Sequence, residues 1–145
     1  MQAYYSRGFV YNRLGQPLRA IEDFNRAILL GPDVAEGYLG RGEAHAVLKQ
    51  IPQAIENYGE AIRRNPGSSR AYYGRGNVYA ELGRPRLAIQ DWENATQADS
   101  QFAPPYHRLG EDRKSTRLNS SHVVSSYAGC CLTKKKNNTH AERDD

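Results

Sequence analysis

Cysteine is almost missing from this sequence, and the two that occur, Cys130 and Cys131, are adjacent and close to the C-terminal end. The first 111 residues contain none, so they hold neither a disulfide framework nor a cysteine zinc site. Adjacent cysteines also lack the spacing of usual zinc sites. Histidine is scarce as well, with only His45 and His107 in the same stretch. Since no phosphate-binding loop or nucleophile elbow is present either, we predict no catalytic residue, no metal site, no cofactor and no small-molecule substrate.

Long hydrophobic runs are also missing. No apolar stretch approaches the roughly 20 residues that a helix needs to cross a bilayer. The first residues, MQAYYSRGF, show no charged segment followed by an apolar one, which is the pattern of a secretory signal. We therefore expect no membrane contact and a cytoplasmic location.

An excess of one charge is missing from most of the chain. The net charge is +4, but residues 1–111 hold 13 basic and 12 acidic residues, whereas residues 112–145 hold 7 and 4. The basic character therefore comes mainly from the C-terminal part. A nearly neutral body gives no electrostatic reason to expect nucleic acid as a partner.

What the sequence does contain is a repeat of 34 residues, with segments 3–33, 37–67 and 71–101 aligning without a gap. Each segment first shows a ring, a glycine and a second ring at positions i, i+4 and i+7, which lie on one face of a helix. It then shows alanine, a large ring and alanine, a pattern that suits close antiparallel packing. The first set is Tyr4, Gly8, Tyr11; Tyr38, Gly42, His45; and Tyr72, Gly76, Tyr79, and the second is Ala20, Phe24, Ala27; Ala54, Tyr58, Ala61; and Ala88, Trp92, Ala95.

Glycine and proline mark the ends of these helices. Gly15 and Gly83 follow the first helix of their units, where a left-handed residue ends a helix at little cost. Pro17, Pro52 and Pro85 lie near the first turn of the second helix, where a missing N–H is tolerated. The pattern predicts six helices, near residues 2–14, 17–30, 36–48, 52–64, 70–82 and 86–98.

The period and these positions resemble the tetratricopeptide repeat, over residues 3 to about 110. The resemblance implies an all-α fold, an α-solenoid of antiparallel helix pairs with about three and a third repeats. The expected domain is 1–111, divided into units 3–34, 35–68, 69–102 and a partial unit 103–111.

One departure from the family pattern recurs in every complete unit. Arg7, Arg41 and Arg75 stand where the family usually has leucine before the glycine. They could form a ladder that binds an anion or an acidic peptide. We favour a structural interpretation, in which each guanidinium reaches out between helices to an acid such as Asp23 or Asp91.

The resemblance also implies a function, because the first helices of the family line a concave groove that binds extended or helical peptides. Tyr5 and Phe9 occupy two places where members that grip the C-terminal carboxylate of chaperones carry polar groups, so that ligand class is disfavoured. Ala46 and Ala80 are expected to pad the core, although their positions also face the groove. Carried over position by position, the expected partner-binding residues are Tyr5, Phe9, Asn12, Arg13, Leu39, Glu43, Val47, Tyr73, Asn77 and Glu81.

Two functions remain open at this point. The first is a protein-protein interaction scaffold that binds a peptide or a partner helix in this groove. The alternative is a regulatory or docking segment of a larger multidomain enzyme whose catalytic part lies outside this sequence.

The repeat pattern stops after Glu111. The last segment, 112–145, has no helical period and is rich in Ser, Asn and Lys, which predicts disorder. Its first part, 112–136, resembles a translated sequencing-library adapter, beginning with DRKSTRLNSSH. We therefore interpret the tail as non-native and expect the natural protein to continue differently after Glu111.

Overall fold

A computed structural model describes residues 1–101, and within them it contains helices and turns but no strand. Each predicted helix is confirmed, with both ends within one residue of the expected position. The partial fourth unit, 103–111, and the tail, 112–145, lie outside the described residues. The helices are α1 (Gln2–Arg13), α2 (Pro17–Leu30), α3 (Ala35–Val47), α4 (Ile51–Arg64), α5 (Ser69–Glu81) and α6 (Pro85–Ala98).

The helices stack as three consecutive pairs. Helix α1 packs against α2, α3 against α4 and α5 against α6, and each pair joins the next through α2–α3 and α4–α5 contacts. The first helices also touch one another directly, α1 with α3 and α3 with α5, whereas no comparable contact joins α2 to α4 or α4 to α6 in the described part. Repeats that are closer together on one side curve toward that side. This confirms an all-α solenoid whose inner surface is made by α1, α3 and α5.

Each joint between units is filled by one large ring placed against glycines. Phe24 on α2 is completely buried, and a Cβ added at Gly8 on α1 would lie 2.8 Å from its ring. A Cβ at Gly40, on the first helix of the next unit, would overlap the same ring. The ring of Phe24 therefore requires a glycine on both sides, and it holds α1, α2 and α3 at a fixed spacing.

The second and third units repeat this packing. Tyr58 on α4 lies between Gly42 and Gly74, where added Cβ atoms would come within 3.1 Å and 2.6 Å of its ring. Trp92 on α6 lies against Gly76, where an added Cβ would be 2.6 Å from the indole. The prediction that Gly8, Gly42 and Gly76 permit close helix packing is confirmed, and Gly40 and Gly74 play the same role without having been predicted.

The turn after each first helix uses the same backbone conformation. Gly15 and Gly83 have positive φ angles of 73° and 78°, as their predicted role in ending a helix requires. The middle unit reaches the same conformation with Lys49, whose φ is 60°, although a side chain is disfavoured there. The Lys49 ammonium lies 2.5 Å from Glu81 on the next unit, so this lysine also links two repeats.

The recurring arginines make structural pairs in two of the three units. Arg7 contacts Asp23 at 2.7 Å and Arg75 contacts Asp91 at 2.7 Å, and both carboxylates are buried. The hydrogen bond from Arg7 lowers the pKa of Asp23 below its usual value, so this carboxylate stays charged inside the array. These contacts confirm the structural interpretation of the ladder for the first and third units.

The second unit differs, because its arginine has no carboxylate in the matching place. Arg41 donates from Nε to Asn57 Oδ1 at 2.7 Å and from Nη1 to Asn25 Oδ1 at 2.7 Å. Burial lowers the pKa of this guanidinium. An amide oxygen therefore replaces the buried acid, and hydrogen bonding rather than ion pairing holds the middle rung.

The ring–glycine contacts lead to a prediction with an internal control. Gly76→Ala is expected to lower the free energy of unfolding by about 1–3 kcal/mol, because the added methyl meets the Trp92 ring and the Ala88 carbonyl oxygen. Gly59→Ala on α4 places its methyl in ordinary van der Waals contact, 3.8 Å from Arg75 Nη1, and should instead stabilise by about 0.5–1 kcal/mol. Urea unfolding followed by circular dichroism compares the two, and equal effects would contradict the packing described.

Candidate functional site

The inner surface made by α1, α3 and α5 carries all the predicted groove residues, but it does not expose all of them. Tyr5 and Leu39 retain only 5% and 7% of their exposure. Both side chains are therefore largely covered by neighbouring helices, and their role in binding stays a prediction. Phe9, Tyr73 and the remaining predicted residues keep partly or fully exposed side chains.

The centre of the inner surface is a cluster that joins all three units. Arg70 on α5 donates from Nη2 to Glu43 Oε1 on α3 at 2.6 Å. The Arg70 guanidinium also lies 5.5 Å from the ring centroid of Phe9 on α1, within the range of a cation–π contact. Asn12 on α1 donates to the Gly40 carbonyl of α3 at 3.0 Å, and its own Oδ1 is buried without a partner in the described part. We call Phe9, Asn12, Glu43 and Arg70 the central cluster.

Sequence reasoning missed Arg70, although its signal was present. Arg70, Tyr73 and Asn77 follow one another at i, i+3 and i+7 and therefore share one helix face. Only the last two were assigned to the groove. The pattern shows that a side chain faces the groove, but the contact with Phe9 two repeats away depends on the curvature of the array.

The charged form of Glu43 is disfavoured by its surroundings. Burial raises the pKa of its carboxyl group above the ordinary value, even though Arg70 and Asn12 both favour the charged form. The ring of Phe9 meets that of Phe24 edge to face at 5.0 Å, which is a stabilising contact. A group that is held at a cost to stability, as the Glu43 carboxylate is, is more typical of a functional surface than of a core.

Toward α5 and α6, two of the predicted residues serve the scaffold. The Asn77 side-chain oxygen accepts a hydrogen bond from Trp92 Nε1 at 3.2 Å. Glu81 is paired with Lys49, as described above. A role for Asn77 and Glu81 in binding stays a prediction, as it does for the other residues of the inner surface.

An apolar side chain remains open on α3. Val47 is 59% exposed and lies one turn after Glu43. At the C-terminal end of α1, Arg13 is exposed and forms no ion pair with any residue of the described part. The inner surface thus combines open apolar area, a paired polar centre and an available cation at one end.

A depression of about 250 Å³ lies at the other end, between α1 and the start of α3. Its walls are Gln2, Tyr5, Ser6, Phe9, Val34 and Glu36. The Tyr5 hydroxyl is buried and has no hydrogen-bond partner within residues 1–101. Burial and the nearby Glu36 raise the pKa of Tyr5, so the phenol remains protonated.

Two kinds of site are absent from residues 1–101. No group of three or more histidine, cysteine or acidic side chains is arranged to hold a metal ion. None of the six helices is both long enough and apolar enough to cross a membrane.

Stacked antiparallel helix pairs with a curved inner surface define a helical-repeat protein of the α-solenoid class. A model of the tetratricopeptide repeat matches residues 5–55 and 48–104. The chain therefore belongs to the tetratricopeptide-repeat family, as its sequence pattern indicated. A search of curated protein sequences gives no match.

Solved structures with similar folds come from several proteins. The crystal structure of MamA is 26% identical, with a TM-score of 0.74 and coverage of 96% of this chain and 80% of that one. The Arabidopsis OM64 TPR domain is 23% identical, with a TM-score of 0.75 and coverage of 79% and 94%. The second TPR of Spaghetti (RPAP3), bound to HSP90 peptide SRMEEVD, is 26% identical, with a TM-score of 0.64 and coverage of 67% and 90%.

The raised pKa of Glu43 makes a pH-dependent prediction. Glu43→Gln should raise the Tm at pH 7, because it removes a carboxylate whose burial outweighs its attraction to Arg70. An acid whose pKa is higher in the folded state than in the unfolded state destabilises the fold where it is ionised, and this cost disappears at low pH where it is protonated. The gain in Tm from Glu43→Gln should therefore become smaller near pH 4. Thermal melting followed by circular dichroism at the two pH values measures the difference in Tm between the variant and the parent.

Glu81→Gln is the matched control, since the Glu81 side chain is 45% exposed and its pair with Lys49 should contribute little. We expect no comparable rise in Tm for this variant. A lower Tm of Glu43→Gln at pH 7 would show that the Arg70 pair stabilises the fold after all.

Proposed function

We propose that this protein is a non-catalytic scaffold that binds a peptide or a partner helix on the inner surface of its repeat array, which we take to span 1–111. The observation that carries the proposal is the exposed apolar side chain of Val47 beside the central cluster, whose Phe9 ring is partly exposed. Interfaces of this kind use rings and apolar anchors for affinity and a few polar groups for orientation.

The central cluster supports an extended ligand in particular. Asn12 Oδ1, on α1, is a buried acceptor that has no hydrogen-bond partner within the described residues. An unpaired buried acceptor costs about 1–3 kcal/mol, which a ligand recovers by donating to it. A partly buried carboxyl group at Glu43, whose pKa is raised by burial, fits the same use.

The similar structure of Spaghetti (RPAP3) supports a peptide as the ligand class, since that repeat was solved with an HSP90 peptide bound. An acidic peptide is not favoured here. The cation at the centre of the groove, Arg70, is already neutralised by Glu43, and Tyr5 and Phe9 are aromatic. The peptide-binding role is therefore proposed without the acidic ligand.

The proposal is tested with one exposed residue on each side of the array. Peptides are selected from a displayed random library on the full chain, and the affinity of the best is measured by fluorescence polarisation. Val47→Glu should weaken binding at least tenfold, because it places an unpaired charge in the interface. Leu29→Glu, at an 82% exposed site on α2, should change the affinity less than twofold.

Neither variant alters a buried residue, so both should keep the helicity and Tm of the parent. Unchanged peptide affinity in Val47→Glu, or an equal loss in both variants, would contradict binding on the inner surface.

A further inference from the structure

The acidic groups of the inner surface are not equivalent. Glu43 is paired with Arg70 at 2.6 Å and Glu81 with Lys49 at 2.5 Å. Glu36, in the first turn of α3, forms no ion pair within residues 1–101 and has an exposed side chain. One carboxylate on this surface is thus available to a ligand.

Glu36 is also a wall of the depression at the end of α1. The volume of about 250 Å³ lies below the roughly 300–1,000 Å³ of sites for drug-sized molecules, so the depression suits a single side chain. Phe9 and Val34 give it apolar walls, while Tyr5 and Glu36 provide oxygen atoms. An apolar stem with a hydrogen-bond donor at its end is complementary to such a lining.

The buried hydroxyl of Tyr5 is a second, independent sign of a missing ligand. Tyr5 is only 5% exposed, and its hydroxyl oxygen has no hydrogen-bond partner in the described part of the chain. Buried polar groups in folded proteins nearly always have one. Tyr5 and Glu36 both line the depression, so a cationic group bound inside it would lie near both residues.

Resting on the proposed peptide-binding function, we infer that this depression takes a lysine or arginine side chain of the bound peptide. The stem of that side chain packs against Phe9 and Val34, and its cationic end meets Glu36, with the Tyr5 hydroxyl as a second acceptor. The depression then sets the register of the peptide along the groove. Ser6 lines the same depression as Glu36. The available cation, Arg13, lies roughly 10 Å from Ser6 along α1, given a rise of about 1.5 Å per residue, so it does not neutralise Glu36.

The peptides selected on the full chain provide the test. We expect them to share one basic residue, and a synthetic peptide with norleucine at that position keeps the apolar stem but lacks the charge. On the parent protein this replacement should weaken binding about tenfold. On Glu36→Gln, the lysine and norleucine peptides should bind within twofold of each other, as a double-mutant cycle requires for a direct contact.

Glu22→Gln is the matched control, since it removes one exposed carboxylate from the outer helix α2 and should leave the tenfold preference intact. Tyr5→Phe, which keeps the ring and removes only the hydroxyl, should reduce the preference without lowering the Tm. Preference for lysine should also decrease as salt rises.

The outcomes separate the two proposals. If the peptides lose affinity with Val47→Glu but share no basic residue, this inference is overturned and the proposed function stands. The same holds if the preference for lysine survives Glu36→Gln. Peptides that are insensitive to Val47→Glu, or a library that yields none, contradict the proposed function and this inference with it.

Discussion

One large ring per repeat, enclosed by glycines, determines the geometry of this molecule. Phe24 and Tyr58 each fill the space between a glycine of their own unit and a glycine of the next. Because the rings are rigid and the glycines have no side chain, the distance between helices is fixed at each joint. The same contact therefore forms the core of one unit and the interface with the following one.

The inner surface follows from that constraint. Rings on the second helices push between units from the outside, while glycines on the first helices allow α1, α3 and α5 to approach each other. The resulting curvature brings Arg70 to Phe9 across two repeats and to Glu43 in between. A candidate binding surface that depends on residues from three units is thus a consequence of how one unit packs on the next.

The fold was predictable from sequence because its determinants are local and repeated. Three copies of the ring, glycine and alanine positions define the period, and Gly15 and Gly83 mark turns whose φ angles are positive. The arginine ladder was predictable for the same reason in two units. The middle unit, with Asn57 in place of an aspartate and Lys49 in the left-handed turn, departs from the pattern and is explained only by its contacts.

The candidate site was predictable in its location but not in its chemistry. Helical spacing indicates which side chains face the groove, yet exposure depends on the neighbouring helix, which buries Tyr5 and Leu39. Pairing is also non-local, since the sequence does not show that Glu43 and Glu81 are neutralised while Glu36 is not. These differences between similar residues decide what the surface can bind.

The central claim is that the first helices, and not the second, form the binding surface. Amide chemical-shift mapping with a bound peptide tests it most directly, because each helix reports separately. The account predicts shifts concentrated on α1, α3 and α5, including the amides of Phe9, Glu43 and Val47, with little change on α2, α4 and α6. Shifts concentrated on the second helices would contradict it.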